Sequence, residues 1–66
     1  MIVTVNGEPR TLVEGTSIES LIDELGLRGR RVAVEVNRDV IERQHYGERT
    51  LESGDVVEVV HFVGGG

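Results

Sequence analysis

The sequence predicts an α+β domain: a four-stranded mixed sheet with one main helix packed on one face. Three observations lead there. An apolar opening run is broken by Asn6-Gly7. A single helical stripe of apolar residues follows. Two later valine runs alternate with polar residues. With 66 residues, the chain makes one domain, and a chain this short buries only about 60% of the surface it exposes when unfolded. A thin core leaves little room for an enclosed active site. A carrier, subunit or binding module is expected rather than a self-sufficient enzyme.

Ile2 to Asn6 reads as the first strand. Asn6-Gly7 is a strong hairpin signal, because both residue types accept positive φ. Pro9 is expected in or beside the turn, since proline is awkward within a central strand, and Arg10 to Val13 reads as the return strand. Thr16 stands three positions before Glu19, the spacing of a capping box in which the hydroxyl and the carboxylate satisfy each other's backbone amides. Ile18, Leu21, Ile22 and Leu25 then recur at helical spacing on one face. Gly26 suits the position after the helix, and Leu27 the apolar residue that follows it. The helix is expected from Ser17 to Leu25.

Val32, Val34 and Val36 alternate with Ala33 and Glu35, the pattern of a half-buried strand. The stretch from Arg38 to Glu48 reads as irregular, with a short helical turn at Arg43 to Tyr46. Ser53-Gly54-Asp55 is a turn, and Val56 to Val63 is the last strand. Right-handed, short connections favour first and last strands that lie adjacent and parallel. This is the β-grasp, or ubiquitin-like, arrangement. The domain is expected over 1–63, with 64–66 as a flexible glycine tail.

Alternation assigns faces. Glu58 belongs in water, so Val57 and Val59 face the helix, and Val56, Val60 and Phe62 share the outer face with Glu58. Glu35 faces out and its neighbouring valines in. Met1, Val3 and Val5 face in, with Thr4 and Ile2 outward. If the first and last strands are neighbours, Ile2, Val60 and Phe62 form one exposed apolar patch. Such patches often mark protein interfaces, so these three are the candidate partner-binding residues.

Charge and composition narrow the function. The net charge is −5, whereas nucleic-acid binders need basic surface to neutralise phosphates. An acidic domain suits a partner with a basic face. The chain has no cysteine, which excludes disulfides and thiolate metal sites. His45 and His61 lack metal-site spacing, and no bound metal or cofactor is expected. No apolar run approaches the roughly 20 residues of a membrane span, and the opening MIVTVNGEPR has no signal-peptide pattern. A soluble, cytoplasmic protein, monomeric when free, is expected.

The chemistry concentrates in Gly64, Gly65 and Gly66. Glycine has no side chain, so such a segment can thread a narrow channel and take backbone angles that other residues avoid. Fully extended, three residues reach roughly 10 Å, enough to place a terminal carboxylate in another protein's active site. That carboxylate, with a reference pKa of about 3.3–3.7, is an anion at neutral pH and a poor electrophile. Adenylation with ATP gives it a good leaving group, which a sulfur nucleophile can displace. Three terminal glycines also suit a frayed end.

The segments VNGEPR, VAVEVNRDVIER (Val32 to Arg43) and LESGDVVEVVHFVGGG (Leu51 to Gly66) resemble the sulfur carrier proteins of thiamin thiazole biosynthesis, over essentially the whole chain. The resemblance implies that Gly66 carries the thiocarboxylate, with Gly64 and Gly65 as its tail. It implies adenylation by an E1-like enzyme using ATP and magnesium, sulfur from a cysteine desulfurase or another persulfide donor, and delivery to thiazole synthase. The chain departs from the family at Glu42, where proline is frequent, and at Tyr46, near which tryptophan is frequent. The small subunit of molybdopterin synthase shares the fold and the tail chemistry, but its relatives often carry proline before the final glycines, and Val60-His61-Phe62-Val63 has none. A ubiquitin-like protein modifier is a further alternative, as is a β-grasp binding domain that works without its tail.

Overall fold

The computed structural model describes residues 1–63. Its elements run β1 (Ile2–Val5), β2 (Glu8–Thr11), α1 (Ile18–Glu24), β3 (Val32–Val36), β4 (Asp39–Ile41), a 3-10 turn (Arg43–His45) and β5 (Val56–His61). The strands form one sheet in the order β2-β1-β5-β3-β4. β1 and β5 are parallel and the other pairs antiparallel. The mixed sheet, the single main helix and the parallel central pair are as the sequence implies. The strand count is five, not four.

The fifth strand is β4, within the stretch read as irregular. Asn37 and Arg38 both take positive φ, at 51° and 74°, and turn the chain tightly so that Asp39–Ile41 pairs back on β3. Three residues are too few for alternation to register, and the turn lacks the Asn-Gly signature. The short helical turn expected just beyond is present at Arg43–His45.

β2 begins at Glu8, earlier than expected, because Asn6 and Gly7 alone make the turn. Pro9 therefore lies within the strand, opposite Thr4. This is tolerated because β2 is an edge and Thr4 turns its backbone groups away from Pro9 toward β5, its amide donating to the Asp55 carbonyl at 2.9 Å. No donor is required of the proline. Val13, expected in this strand, lies outside it and is exposed.

The helix start differs from the capping box. Ser17, not Thr16, is the N-cap, and its Oγ accepts from the Ser20 amide at 3.1 Å. The Ile18 and Glu19 amides, which a helix cannot satisfy internally, donate to the carbonyls of Arg49 and Tyr46 at 3.0 and 2.9 Å. The β4–β5 connection thus takes two of the helix's first amides, among them the Glu19 amide that the box would have used. Thr16 is buried, its Oγ1 donates to the Val13 carbonyl at 2.6 Å, and its own carbonyl accepts from Leu51 at 2.9 Å. The helix end is as expected. Gly26 takes φ 77°. Its amide donates to Asp23, and that of Leu27 reaches back to the Ile22 carbonyl, the double closure of a Schellman motif.

The core lies between sheet and helix. Val3, Val5, Val34, Val36, Val57 and Val59 come from the sheet, and Ile18, Leu21 and Ile22 from α1. Leu12, Tyr46 and Leu51 close it from the connections. Met1, Leu25 and Val32, at the ends of this alternation, are half-buried against it.

Replacing the cap tests which residue holds the helix start. Ser17→Ala is expected to lower stability by about 0.5–2 kcal/mol, read from a thermal or urea melt. An unmoved melt would remove Ser17 from that role.

Candidate functional site

β5 is the third strand of the sheet and the last element before the glycines. Its odd and even residues serve different neighbours. Val57 and Val59 point into the core, at 0% and 6% exposure. Val56, Glu58, Val60 and Phe62 point outward, with Val60 and Phe62 more than half exposed at 56% and 55%. The strand ends at His61 rather than Val63, although Phe62 adds one further bond, its amide donating to the Arg31 carbonyl at 3.0 Å.

Two asparagines pin β5. Asn37 donates its backbone amide to the Val56 carbonyl at 2.8 Å and accepts the Val56 amide on Oδ1 at 2.9 Å. Its Nδ2 donates to Asp55 Oδ1 at 3.0 Å, while Asp55 Oδ2 accepts the Glu52 amide at 2.8 Å. Asn6, at φ 50°, donates its backbone amide to the Val57 carbonyl at 2.9 Å. Its side chain then pairs with Val59 in both directions, Nδ2 to the carbonyl at 3.1 Å and Oδ1 from the amide at 2.8 Å. The amide group takes the place of one more residue of β1, just where that strand turns away.

The register divides the expected apolar patch. Ile2, Val60 and Phe62 are all exposed. However, Thr4 pairs with Val56, and the Gly54 amide donates to the Ile2 carbonyl. Ile2 therefore sits beside the start of β5, six residues before Val60. At about 3.3 Å per residue that separation is roughly 20 Å. Face alternation placed these residues on the correct side of the sheet, but it carries no information on offset along a parallel pair. The outer surface leading toward the tail consists of Val60, Phe62 and the exposed Ala33, which pairs with Val60.

Beside it, Glu35 directly opposes Glu58, with Val40 on the other side of Glu35. Among the described residues the ion pair found is Arg10 with Glu24, at 3.8 Å, so no basic side chain of these residues neutralises the two glutamates. Like charges directly opposite one another weaken a sheet. Gly64, Gly65 and Gly66 lie outside the described residues. His45 and His61 are exposed and far apart in the fold order, and no group of three or more His, Cys, Asp or Glu among the described residues is arranged to hold a metal. No described helix is long and apolar enough to cross a membrane.

A single helix held across a mixed sheet, with parallel strands β1 and β5 at its centre, defines a β-grasp protein. The ThiS family model matches residues 3–66, and the chain belongs to that family. It is 40% identical over 65 residues to the sulfur carrier protein ThiS of Thermus thermophilus, covering 98% of this chain and 100% of that one. It is 46% identical over 66 residues to a thiazole synthase of Magnetococcus marinus, covering 100% of this chain but 20% of that protein. A thiazole synthase of Paramagnetospirillum magneticum is 38% identical with the same coverage. The chain thus spans about a fifth of the length of these two relatives. The crystal structure of the thiamine biosynthesis protein ThiS of Geobacter metallireducens superposes with a TM-score of 0.83 at 38% identity, covering 100% of both chains.

The opposed glutamates yield a direct test of the outer face. Glu58→Gln is expected to raise stability by about 0.2–1 kcal/mol, seen as a higher melting temperature at low salt that converges with the parent at high salt. A lower melting temperature would show that the pair is not repulsive.

Proposed function

We propose that the chain is a sulfur carrier for thiamin thiazole synthesis, with Gly66 as the residue that is activated and loaded. The observation that carries this reading is the ThiS family match, which runs through Gly66. The full-length likeness to the Thermus thermophilus sulfur carrier supports it. The fold adds that the last strand lies at the centre of the sheet, so the tail leaves a firmly held element.

In this scheme an E1-like enzyme binds ATP and magnesium. The Gly66 carboxylate attacks the α-phosphorus and releases pyrophosphate, leaving an acyl-adenylate. The outer sulfur of a persulfide, supplied by a cysteine desulfurase or another donor, attacks the acyl carbon and expels AMP to leave an acyl disulfide. A second thiol of the partner proteins then attacks the donor's sulfur, forming a disulfide with it and releasing the thiocarboxylate. The resulting thiocarboxylate is delivered to thiazole synthase. That the relatives in Magnetococcus and Paramagnetospirillum are thiazole synthases which contain a segment like this chain supports thiazole synthase as the acceptor. The chain supplies no catalytic group of its own. Its contributions are a tail free of side chains, which reaches roughly 10 Å when extended, and the docking surface of Val60 and Phe62. Ile2 would form a separate contact at the other end of β1.

Loading is read by intact mass after incubation with the cognate adenylating enzyme, ATP and a sulfur source. The expected gain is the difference between one sulfur and one oxygen, and it requires ATP. Removing Gly65 and Gly66 is expected to abolish the gain without moving the melt, since glycines bury no side chain. Thiamin-independent growth of cells that carry only the shortened chain would overturn the reading. Phe62→Ala is expected to weaken binding to the adenylating enzyme while changing stability by no more than about 0.5 kcal/mol, as for exposed positions generally. A collapse of the melt with unchanged affinity of the folded fraction would place Phe62 in the core instead.

A further inference from the structure

The alternation of β5 leaves one part of its edge without a partner. Even residues turn their amides and carbonyls toward β3, as the Phe62 amide does toward Arg31 and the Val56 carbonyl toward Asn37. Odd residues turn toward β1. The Asp55 and Val57 carbonyls accept from Thr4 and Asn6, and Val59 is taken in both directions by the Asn6 side chain. His61 is the next odd residue. β1 has already turned away through Asn6 and Gly7, and its pairing with β5 stops at Val57. The His61 amide and carbonyl therefore face the β1 side with no partner among the described residues. The sheet has an internal notch: β1 pairs with β5 as far as Val57, the Asn6 side chain reaches Val59, and beyond that β5 continues with β3 alone beside it.

Backbone groups along a strand edge either face water or template another strand. Here the neighbouring side chains select between the two. Val60 and Phe62 flank His61 on the outer face, each more than half exposed. A strand laid against this edge would bring its own alternate residues against them, the cross-strand contacts that stabilise sheets. Recognition of this kind takes affinity from main-chain bonds and specificity from alternate side chains.

We propose that the free edge of β5 at His61 receives an extended segment of the adenylating enzyme, added as a strand, with a backbone carbonyl on the His61 amide and a backbone amide on the His61 carbonyl. The segment presents apolar residues on the face shared with Val60 and Phe62. The pairing fixes the direction in which the glycines leave the sheet, so docking and tail placement are one event. The Asn6 side chain is the device that makes the notch: it satisfies Val59, ends the internal ladder and leaves the next position open. The proposal rests on the sulfur-carrier reading for the identity of its partner.

Residue-resolved amide hydrogen exchange tests it on the full chain, free and saturated with the cognate adenylating enzyme. In the free chain the Phe62 amide, already donating to Arg31, is expected to exchange slowly and the His61 amide quickly. In the complex the His61 amide should slow at least tenfold, while Gly7 in the adjacent turn keeps its free rate. A His61 amide that exchanges equally fast in both states, in a complex that still loads sulfur, overturns strand addition and leaves the carrier reading standing. Equal slowing of Gly7 and His61 would mean that the region is merely covered, and overturns it too. Failure of the parent chain to load sulfur counts against the carrier reading itself. A second measurement uses Asn6→Ala at a temperature where it is folded. With Val59 released, the edge lengthens by one residue, and the Val59 amide should become a second site of partner-dependent slowing. A Val59 amide indifferent to the partner in this variant would count against the notch as the docking edge.

Discussion

β5 is bonded on both sides, and the rest of the sheet depends on that placement. To one side lies the β1–β2 hairpin, to the other the β3–β4 hairpin, and neither hairpin pairs with the other except through β5. The direct ladder from β1 is short, covering Thr4 with Val56 and Val5 with Val57. The Asn6 side chain extends it on the β1 side, and a second asparagine, Asn37, binds the strand from the β3 side. Asn37 fixes the first residue of β5 and Asn6 fixes Val59. Both sit in turns at positive φ, 51° and 50°, a conformation that asparagine tolerates better than most residues. The turn geometry and the pinning of the central strand are therefore met by the same two residues. A substitution at either would have to satisfy both.

The helix is integrated in a comparable way. At seven residues it is too short to be stable by itself. Its apolar face is covered by the sheet valines, and its first amides are taken by carbonyls of the β4–β5 connection. That connection has little regular structure, yet it places Tyr46 and Leu51 in the core and closes the helix start. Loop and helix thus hold each other in place, and the irregular segment is a structural member of the domain.

Much of this was legible in the sequence because alternation and helical spacing are local. The inward valines of β3 and β5, the outward Glu58 and Phe62, the Gly26 helix end and the Asn6-Gly7 turn all follow from neighbours within a few positions. What escaped was set by distant partners. Thr16 and Glu19 have the spacing of a capping box, but the Glu19 amide goes to the distant Tyr46 carbonyl and the Thr16 amide to the Val13 carbonyl, and Ser17 caps instead. β4 is too short for its pattern to be seen without β3 beside it. Ile2 was assigned to the correct face but the wrong neighbourhood, because a period of two fixes the face and leaves the register open. The exposed apolar face at the end of β5 was legible as Val60 and Phe62. The notch at His61 was not, since it depends on where β1 stops relative to β5.

The position of β5 also governs how the chain can be made. During synthesis the two flanking hairpins emerge first, and each is a two-stranded unit that is at best marginally stable in water. The seam that joins them does not exist until β5 has left the ribosome. The contacts that complete the sheet, Val5 with Val57 and Asn6 with Val59, close a loop spanning most of the domain, and such long closures slow folding. A nascent chain is therefore left with its core open until the strand bearing the tail is available. Folding of the described residues is thus completed from the last strand inward, with both hairpins waiting on a single late element.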